Sequence, residues 1–312
     1  MKAALRVVPV IAVLALPAAA FTSPASAAEP GHDSDATVCT GSVAAPGVLS
    51  GTYDSNVVVK GVCVVNAGPA EIEGNLTVSP GSVAGSIFAM DDRTGTGSSS
   101  LSVDGNVNVQ DGATLLMGCE PNESPCADDQ TNTLSSHSKV EGSIYASNAL
   151  AVNIHASSVG GTIYQGGGGQ GSSCATPSAS TSNTPSVQVW ATLENGAPYS
   201  DYEDTTVGGG LYVWDLNTCW LGLARDTVGA SVAVRDVQLA DPDGVEIVTN
   251  TIADNLACTD NSAVWDSAEA SFGQMGLYPR TPKPNTVGGE RRGQCELASP
   301  STMGGKLGPG PF

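Results

Sequence analysis

Short apolar phrases with the pattern aliphatic–x–Gly–small–aliphatic–x–apolar recur along most of the chain. Within each phrase aliphatic residues alternate with polar or small ones, which is the period-two pattern of a β-strand with one buried face. The nine copies are Ile72–Val78, Val83–Ala89, Val103–Val109, Val140–Ala146, Val159–Gln165, Val207–Val213, Val228–Val234, Ile252–Cys258 and the degraded Val287–Gly293. A strand-length phrase repeated this often indicates one supersecondary unit stacked on itself.

The phrases begin 11, 20, 37, 19, 48, 21, 24 and 35 residues apart. Intervals near 20 indicate the basic turn of the repeat, and longer ones indicate a turn with an insert or two turns with one degraded phrase. The step of 11 residues, from Ile72 to Val83, predicts two strands within one turn. A turn of about 20 residues with two or three short strands stacks into a parallel β-helix around an aliphatic interior. We therefore expect an all-β solenoid of such turns with loop inserts.

Leucine-rich repeats have a similar period, but their leucine framework is absent here. Valine leads this repeat, and Gly and Asn come before the strand rather than after it. On these phrases the chain resembles the secreted right-handed parallel β-helix proteins over residues 38–295. The resemblance implies a single-stranded right-handed parallel β-helix. Because many polysaccharide lyases share this architecture, it also implies an activity toward carbohydrate, although no catalytic motif accompanies it.

The N-terminus has the features of a secretory signal peptide over residues 1–27. Lys2 and Arg6 precede an apolar stretch from Val7 to Ala20, and Ala25-Ser26-Ala27 offers a cleavage site. The apolar stretch is shorter than a membrane span requires, and a simple N-terminal anchor is the alternative. We expect a secreted, extracellular protein with a disordered leader over residues 28–37, the β-helix domain over residues 38–295 and a disordered tail over residues 296–312.

The chain is strongly acidic, with 31 acidic and 12 basic residues and a net charge of −19. Removal of Lys2 and Arg6 with the signal peptide would lower the net charge to −21. Such a surface repels nucleic acid and anionic membranes, so we expect neither a nucleic-acid partner nor a membrane span. The charge also counts mildly against a polyanionic substrate. No pattern in the sequence indicates an oligomeric state.

Eight cysteines lie beyond the signal peptide, which for an exported chain predicts four disulfides. Eight cysteines allow 105 pairings, but each turn of a solenoid contacts only its neighbours. Nearest-neighbour pairing is therefore the simplest. A metal site is the weaker alternative, because the sequence has no C-x-x-C pair and no cysteine–histidine cluster. The expected pairs are Cys39–Cys63, Cys119–Cys126, Cys174–Cys219 and Cys258–Cys295.

Aromatic residues concentrate at the position that follows the second aliphatic residue of each phrase, which points outward if that aliphatic residue points inward. Successive phrases place Thr77, Phe88, Asn108, Tyr145, Tyr164, Tyr212, Ala233 and Ala257 there. Neighbouring turns lie about 4.8 Å apart, so Tyr145 and Tyr164 can stack with Tyr212 beyond them. A flat aromatic stripe of this kind suits sugar rings. The alternative is that the tyrosines pack on one another or under an insert.

Three residues are predicted to bind substrate: Tyr212, Phe88 and Trp190. Trp190 lies in the longest insert, Gly166 to Glu203, and long inserts of repeat proteins often form the binding face.

His155 is the candidate catalytic base or acid. Val152 and Ile154 are expected to point inward, which would place Asn153 and His155 on the outer surface beside the tyrosines. A lyase for a uronic-acid polymer needs a base to remove the C5 proton and a neutral or cationic group to relieve the carboxylate charge. His155 and Asn153 are assigned these roles, and Tyr145 or Tyr164 would protonate the leaving oxygen. An ordinary surface histidine is the alternative.

Acidic loops offer oxygen ligands for calcium, although none matches a known calcium-loop pattern. Glu120, Glu123, Asp128 and Asp129 form one such group, and Asp201, Glu203 and Asp204 form another. Solvated loops are the alternative, so no metal ligand or cofactor is assigned and calcium is only an option. The leading hypothesis is a secreted protein that binds, and in the enzyme case cleaves by β-elimination, an extracellular polysaccharide containing uronic acid. The competing hypothesis is a non-catalytic structural, adhesive or surface-coat protein.

Overall fold

A computed structural model describes residues 36–89, 99–121, 124–179, 182–194, 196–242, 244–267 and 283–298. The predicted signal peptide, residues 28–35 of the predicted leader and residues 299–312 of the predicted tail lie outside the described residues. In the part that is described, no helix is both long and apolar enough to cross a membrane.

The described residues form short strands joined by tight corners. In the first half of the chain these are β1 (Thr37–Gly41), β2 (Gly47–Val48), β3 (Gly51–Tyr53), β4 (Val57–Val64), β5 (Ala70–Ile72), β6 (Leu76–Val78), β7 (Val83–Ser86), β8 (Leu101–Val103), β9 (Val107–Val109), β10 (Thr114–Met117), β11 (Lys139–Val140), β12 (Ile144–Ser147), β13 (Ala151–His155), β14 (Ser158–Val159) and β15 (Ile163–Gly166). After an α-helix, α1 (Pro185–Val189), and a π-helical turn (Trp190–Glu194) come β16 (Ser200–Glu203), β17 (Thr206–Val207), β18 (Leu211–Trp214), β19 (Asn217–Thr218), β20 (Leu221–Ala224), β21 (Thr227–Val228), β22 (Val232–Arg235), β23 (Gln238–Leu239), β24 (Val245–Val248), β25 (Thr251–Ile252), β26 (Leu256–Thr259), β27 (Val264–Ser267), β28 (Thr286–Val287) and β29 (Arg291–Gly293).

All pairings between these named strands are parallel, and they form three long ladders. Ladder 1 runs β1-β4-β6-β9-β12-β15-β18-β22-β26-β29, and ladder 2 runs β2-β4-β7-β10-β13-β16-β20-β24-β27. The two share β4 and together form an 18-stranded sheet. Ladder 3 is a nine-stranded sheet, β3-β5-β8-β11-β14-β17-β21-β25-β28, and β19 pairs with β23. The chain passes repeatedly through ladders 3, 1 and 2 in that order, and we call each such passage a coil. The protein is therefore all-β, with long parallel sheets, as the repeat predicts.

Every repeated phrase except Val83–Ala89 spans the corner between ladder 3 and ladder 1. Val103, for example, lies in β8 of ladder 3, and Val107 lies in β9 of ladder 1, with both side chains fully buried in one aliphatic core. Glycine fits the corner because a Cβ on Gly105 would lie 2.6 Å from the carbonyl oxygen of the preceding coil. The small polar residue after it is Asn106, whose backbone N–H donates to Oδ1 of Asn75 at 2.8 Å. Side-chain bonds between coils thus fix the corner.

The step of 11 residues between two phrases does reflect two strands of one coil. Leu76 lies in β6 of ladder 1, and Val83 lies in β7 of ladder 2. The phrase Val83–Ala89 is therefore out of register with the others. As a consequence Phe88 does not belong to the tyrosine stripe, and it packs against buried valines near ladder 2, among them Val62 and Val189. Its predicted place in the stripe is wrong.

All four predicted disulfides are present. They join Cys39 to Cys63, Cys119 to Cys126, Cys174 to Cys219 and Cys258 to Cys295. The first links β1 to β4, and the second closes a loop of the insert that follows β10. The third attaches the long insert to a coil, and the fourth attaches β26 to the segment after β29. The bonds thus secure both ends of the repeat and two of its inserts.

The long insert after β15 packs onto ladder 2. Trp190 is only 1% exposed, its indole N–H donates to Oγ1 of Thr114 at 3.3 Å, and its ring meets Tyr199 edge-on at 5.2 Å. Trp190 is therefore buried between the insert and ladder 2, which does not suit the substrate-binding role predicted for it. The insert also ends earlier than expected, because Ser200–Glu203 form β16 rather than a loop.

A second set of corners, from ladder 2 to ladder 3, places one residue of each coil in the left-handed region of the backbone. The φ angles are +46° at Ala156, +48° at Asp204, +59° at Arg225 and +61° at Thr249. Residues that carry a Cβ atom are strained in this region, and glycine is the residue best suited to it. The strained backbone allows the chain to pass from a strand of ladder 2 to the next strand of ladder 3 through only two residues.

The last strand of ladder 1 departs from the aliphatic pattern. Register places Arg291 of β29 beside Leu256 of β26, a position that is fully buried in the preceding coil. Arg291 instead forms an ion pair with Asp266 of β27 and donates to the carbonyl oxygen of Asn285 at 3.1 Å. The degraded ninth phrase thus replaces aliphatic packing by charge.

Candidate functional sites

The tyrosine stripe on ladder 1 is present as a stack of rings. Tyr145, Tyr164 and Tyr212 are register partners on β12, β15 and β18. The ring centroids of Tyr145 and Tyr164 lie 5.3 Å apart with planes inclined by 6°, and those of Tyr164 and Tyr212 lie 5.5 Å apart with planes inclined by 26°. The predicted stacking is therefore confirmed. We call this stack, together with Trp214, the tyrosine face.

Trp214 completes the tyrosine face and was not singled out from the sequence. Its ring meets Tyr164 edge-on, with centroids 6.3 Å apart and planes at 75°. It lies across Gly166, where any Cβ would come within 2.5 Å of the indole. The sequence spacing is sufficient to place Trp214 beside the tyrosines, since it follows Tyr212 by two residues in the same strand and so shares its face.

The stacked geometry changes how the tyrosine face can contact a ligand. Because neighbouring rings face one another, much of the flat ring surface that a sugar would need is covered within the stack. Tyr145, at the end of the stack, is the most accessible ring, with 44% of its surface exposed. The tyrosine face therefore offers the outer side of Tyr145, the indole of Trp214 and the ring edges between them.

His155 lies on another ladder and is not exposed. Val152 and Ile154 point into the aliphatic core as predicted, so Asn153 and His155 alternate with them on the opposite face of β13 in ladder 2. That face is covered, and Asn153 and His155 are only 4% and 8% exposed. The expectation of an exposed histidine beside Tyr145 and Tyr164 is wrong, because the inserts that cover ladder 2 could not be placed from the spacing of the repeat.

His155 instead belongs to a buried polar cluster. Register pairs Asn153 with Asp201 and His155 with Glu203 across β13 and β16. Nε2 of His155 lies 2.9 Å from Oδ1 of Asp201. Arg225, in the next corner, donates from Nη2 to Oε2 of Glu203 at 3.0 Å. We call Asn153, His155, Asp201 and Glu203 the buried cluster.

Two inserts cover the buried cluster. From the disulfide-closed loop, Ser124 Oγ approaches Oε2 of Glu203 at 3.5 Å. From the long insert, Glu194 interacts electrostatically with Asp201 and His155, although Glu194 itself is exposed. Polar groups of both inserts therefore lie beside a cluster whose own residues are buried.

Protonation in the buried cluster argues against a catalytic base. Burial acts to lower the pKa of His155, but the charges of Asp201 and Glu203 outweigh it and raise the pKa to about 9. Burial also raises the pKa of Glu203 to about 7, although His155 opposes that change. His155 is thus an imidazolium at neutral pH, and an imidazolium cannot accept the proton that β-elimination removes.

A cleft of about 340 Å³ opens beside the buried cluster, at the corner between ladders 2 and 3. Glu120, His137, Asp204 and Thr206 are among the residues that line it. Nδ1 of His137 lies 2.6 Å from the carbonyl oxygen of Ala156, so one edge of the cleft is tied to the corner that follows His155. Two of its lining residues, Ala156 and Asp204, directly follow His155 and Glu203 in sequence, so the cleft lies next to the buried cluster.

Asp201 and Glu203 were assigned to a solvated loop, because Ser200-Asp201-Tyr202-Glu203 does not resemble the aliphatic strands. Its two inward positions are polar, yet they are satisfied inside the core. Tyr202 donates its hydroxyl to Oε1 of Gln165 at 2.7 Å, and Gln165 donates to Oγ of Ser200 at 2.9 Å. Residues 200–203 therefore do alternate between inward and outward positions. At the inward positions, hydrogen bonds between neighbouring coils replace the usual aliphatic contacts.

No protein-family model, curated protein or solved structure matches the chain. The tyrosine face and the buried cluster are thus the basis on which a function can be assigned.

Proposed function

We propose that this protein is a secreted, right-handed parallel β-helix that binds an extracellular polysaccharide on its tyrosine face. The observation that carries the proposal is the alignment of Tyr145, Tyr164 and Tyr212 with Trp214 on one ladder. Aromatic residues are 5% of the chain, so four of them gathered on one outer surface need an explanation. Aromatic side chains combine apolar area with a polar hydroxyl or N–H group, which suits the mixed surface of a sugar.

The ladder supports binding because it holds the rings in fixed positions. Register and stacking restrict the rotamers of the tyrosines before a ligand arrives, so little conformational entropy remains to be lost on binding. A polymer that follows the ladder would meet the exposed side of Tyr145, the phenol edges and then the indole of Trp214. The tyrosine face supports binding, and the binding experiment described below also tests for cleavage by β-elimination.

A structural, adhesive or surface-coat role is the second candidate. It is favoured by one observation, that the ring faces of the stack cover one another and so stabilise neighbouring coils without any ligand. Offset-stacked pairs contribute about 0.5–1.5 kcal/mol beyond the area that they bury.

Binding to a panel of neutral and uronic-acid polysaccharides separates the two candidates. We expect Tyr145→Ala and Trp214→Ala to weaken binding by at least about tenfold, as removal of an aromatic anchor does at other interfaces. Tyr145→Phe keeps the ring and should keep most of the affinity. Thr77→Ala is the matched control, since Thr77 occupies the same line of ladder 1 two coils away.

Failure of the wild-type protein to bind any polymer in the panel would exclude the proposal and favour the structural candidate. The ultraviolet absorbance of an unsaturated product, followed in the same incubations with and without calcium, tests cleavage. Absorbance that rises in the wild type and persists in Tyr145→Ala would place a lyase activity elsewhere on the molecule.

A further inference from the structure

The buried cluster has the composition of a metal site. His155, Asp201 and Glu203 each place one potential ligand atom so that all three atoms lie within 4.8 Å of one another. Metal–ligand bonds of about 2.0–2.2 Å bring the ligands of one ion to such separations. All three residues are more than nine-tenths buried, whereas many other carboxylates of this acidic chain are exposed.

The second observation is a buried amide without a partner. Oδ1 of Asn153 is inaccessible to solvent and has no hydrogen-bond partner among the described residues. Asn153 is the register partner of Asp201 and precedes His155 by two residues, so its side chain shares their face of ladder 2. Nearly all buried polar atoms in proteins are hydrogen-bonded, and leaving one unpaired destabilises the folded state. The amide oxygen is thus available as a further ligand.

The contact between His155 and Asp201 does not satisfy the two side chains either. Their atoms lie 2.9 Å apart, yet within the described part of the chain neither Nε2 of His155 nor Oδ1 of Asp201 makes a hydrogen bond of good geometry. Both atoms belong to the group of three potential ligand atoms that lie within 4.8 Å of one another. Asn153 is the register neighbour of Asp201 on the same face and supplies the adjacent amide oxygen.

Charge around the buried cluster favours a cation. Besides Asp201 and Glu203, the carboxyl groups of Glu120 and Glu194 interact electrostatically with His155 or Asp201. The cation that faces these groups is Arg225, which is held by Glu203 and by Asp204 at 2.8 Å. Arg225 also orients the Glu203 carboxylate, as outer-shell partners of metal-binding carboxylates commonly do.

We propose that His155, Asp201, Glu203 and Asn153 bind a first-row divalent transition metal ion of the zinc class, which displaces the proton that His155 holds in the metal-free protein. One imidazole nitrogen and two carboxylates, with an amide oxygen as the fourth ligand, suit zinc or a similar ion. Calcium is disfavoured because it selects oxygen ligands, usually six to eight of them. The cleft lined by Glu120 lies next to the site, since Ala156 and Asp204 on its wall directly follow His155 and Glu203 in sequence. This site lies on ladder 2 and is independent of polysaccharide binding on ladder 1.

Titration of the chelator-treated full-length protein with zinc tests the proposal. We expect one zinc ion per chain by calorimetry, a Tm that rises with zinc concentration, and no comparable response to calcium or magnesium. Cobalt(II) in place of zinc should give a visible absorption spectrum typical of nitrogen and oxygen ligands. Asp201→Asn and His155→Gln should weaken zinc binding by more than the ~10–100-fold typical of losing an outer-shell partner.

His137→Gln is the matched control, because His137 lines the cleft without belonging to the buried cluster. It should bind zinc like the wild type. Should Asp201→Asn and His155→Gln fail to fold, Asn153→Asp decides, since it keeps the shape, adds a charged ligand and should tighten zinc binding. The proposal is overturned if the wild type takes up no stoichiometric zinc. It is equally overturned if Asp201→Asn folds and binds zinc like the wild type, which would indicate binding by surface carboxylates.

Discussion

Asp226 accepts a hydrogen bond from the backbone N–H of Thr205 at 2.9 Å, in the corner between ladders 2 and 3. Asn250 makes the same bond in the next coil, to the backbone N–H of Asp226 at 2.7 Å, and Asn285 makes it in the coil after that. Asn250 also donates its amide to the carbonyl oxygen of Leu223 at 2.8 Å. An ionised aspartate has no donor for this second bond, and Oδ2 of Asp226 is buried without a hydrogen-bond partner among the described residues.

We therefore expect Asp226→Asn to stabilise the protein by about 1–3 kcal/mol at neutral pH. Burial raises the pKa of Asp226 well above its ordinary value, so the folded state holds this proton more tightly than the unfolded state. Stability from such a group is greatest in acid and falls as the pH rises through the interval between the two pKa values. The gain from Asp226→Asn should accordingly shrink as the pH is lowered toward about 4.

Denaturant unfolding of both proteins across this pH range measures the difference. Asp111→Asn is the control, since Asp111 is exposed, and it should change stability by less than about 0.5 kcal/mol. A loss of stability in Asp226→Asn at neutral pH would mean that the carboxylate is better satisfied than its surroundings indicate.

The left-handed corner at Ala156 predicts a stabilising glycine. A non-glycine residue at its φ of +46° is strained by about 1–2 kcal/mol, so Ala156→Gly should raise the free energy of unfolding by about 1 kcal/mol. Ala151→Gly is the comparison, because Ala151 lies within β13 and glycine weakens an ordinary strand by about 0.5–1 kcal/mol. Chemical denaturation should give opposite signs for the two variants. Equal losses would show that the corner is not strained.

Asp129 organises the loop that follows Cys126. Its carboxylate accepts hydrogen bonds from the backbone N–H groups of Thr131, Thr133 and Leu134 at 2.9, 2.7 and 2.7 Å. The Thr131 hydroxyl and these N–H groups hold the pKa of Asp129 well below its usual range. The contribution is present above the unfolded pKa and is lost only as the pH falls through the lower folded value.

We expect Asp129→Asn to speed hydrogen exchange of the Thr133 and Leu134 amides by at least about tenfold, because an amide group has one acceptor oxygen instead of two. Thr131→Ser keeps the hydroxyl and should leave exchange nearly unchanged. Unchanged protection in Asp129→Asn would indicate that the disulfide Cys119–Cys126 alone holds the loop.

The disulfides should differ in their effect on stability. The bond Cys174–Cys219 spans 45 residues of sequence, and Cys119–Cys126 spans 7. Loop-closure entropy then predicts losses of about 4 and about 2 kcal/mol when each pair is replaced by alanine. Trp220 packs beside Cys219 under the long insert, so tryptophan fluorescence during denaturant unfolding should report the first loss. A larger loss for the shorter loop would contradict the entropic explanation.

The fold was predictable because successive coils are subject to the same packing constraints, so the same residue types recur along the sequence. Most coils contain an aliphatic pair such as Val103 and Val107 with a glycine between them, and this pattern is visible in the sequence of most phrases. The same logic paired the cysteines and aligned Tyr145 with Tyr164, since contacts between neighbouring coils follow from register alone.

The sites were less predictable, because they depend on inserts that carry no repeat. Alternation correctly placed Asn153 and His155 on the outer face of β13, but it could not indicate that Trp190 and the Cys119–Cys126 loop lie near that face. The sequence places Asp201 in an acidic loop rather than in a strand, because hydrogen bonds, rather than aliphatic packing, fill the core beneath that strand.

Arg291 has a consequence for how molecules meet one another. Among the described residues β29 is the last strand of ladder 1, and an unpaired strand edge is able to accept the first coil of a second copy. Such an addition would bury the ion pair of Arg291 and Asp266 against the incoming coil, and removing a charged pair from water is costly. The degraded ninth phrase therefore disfavours end-to-end addition of a second copy at β29.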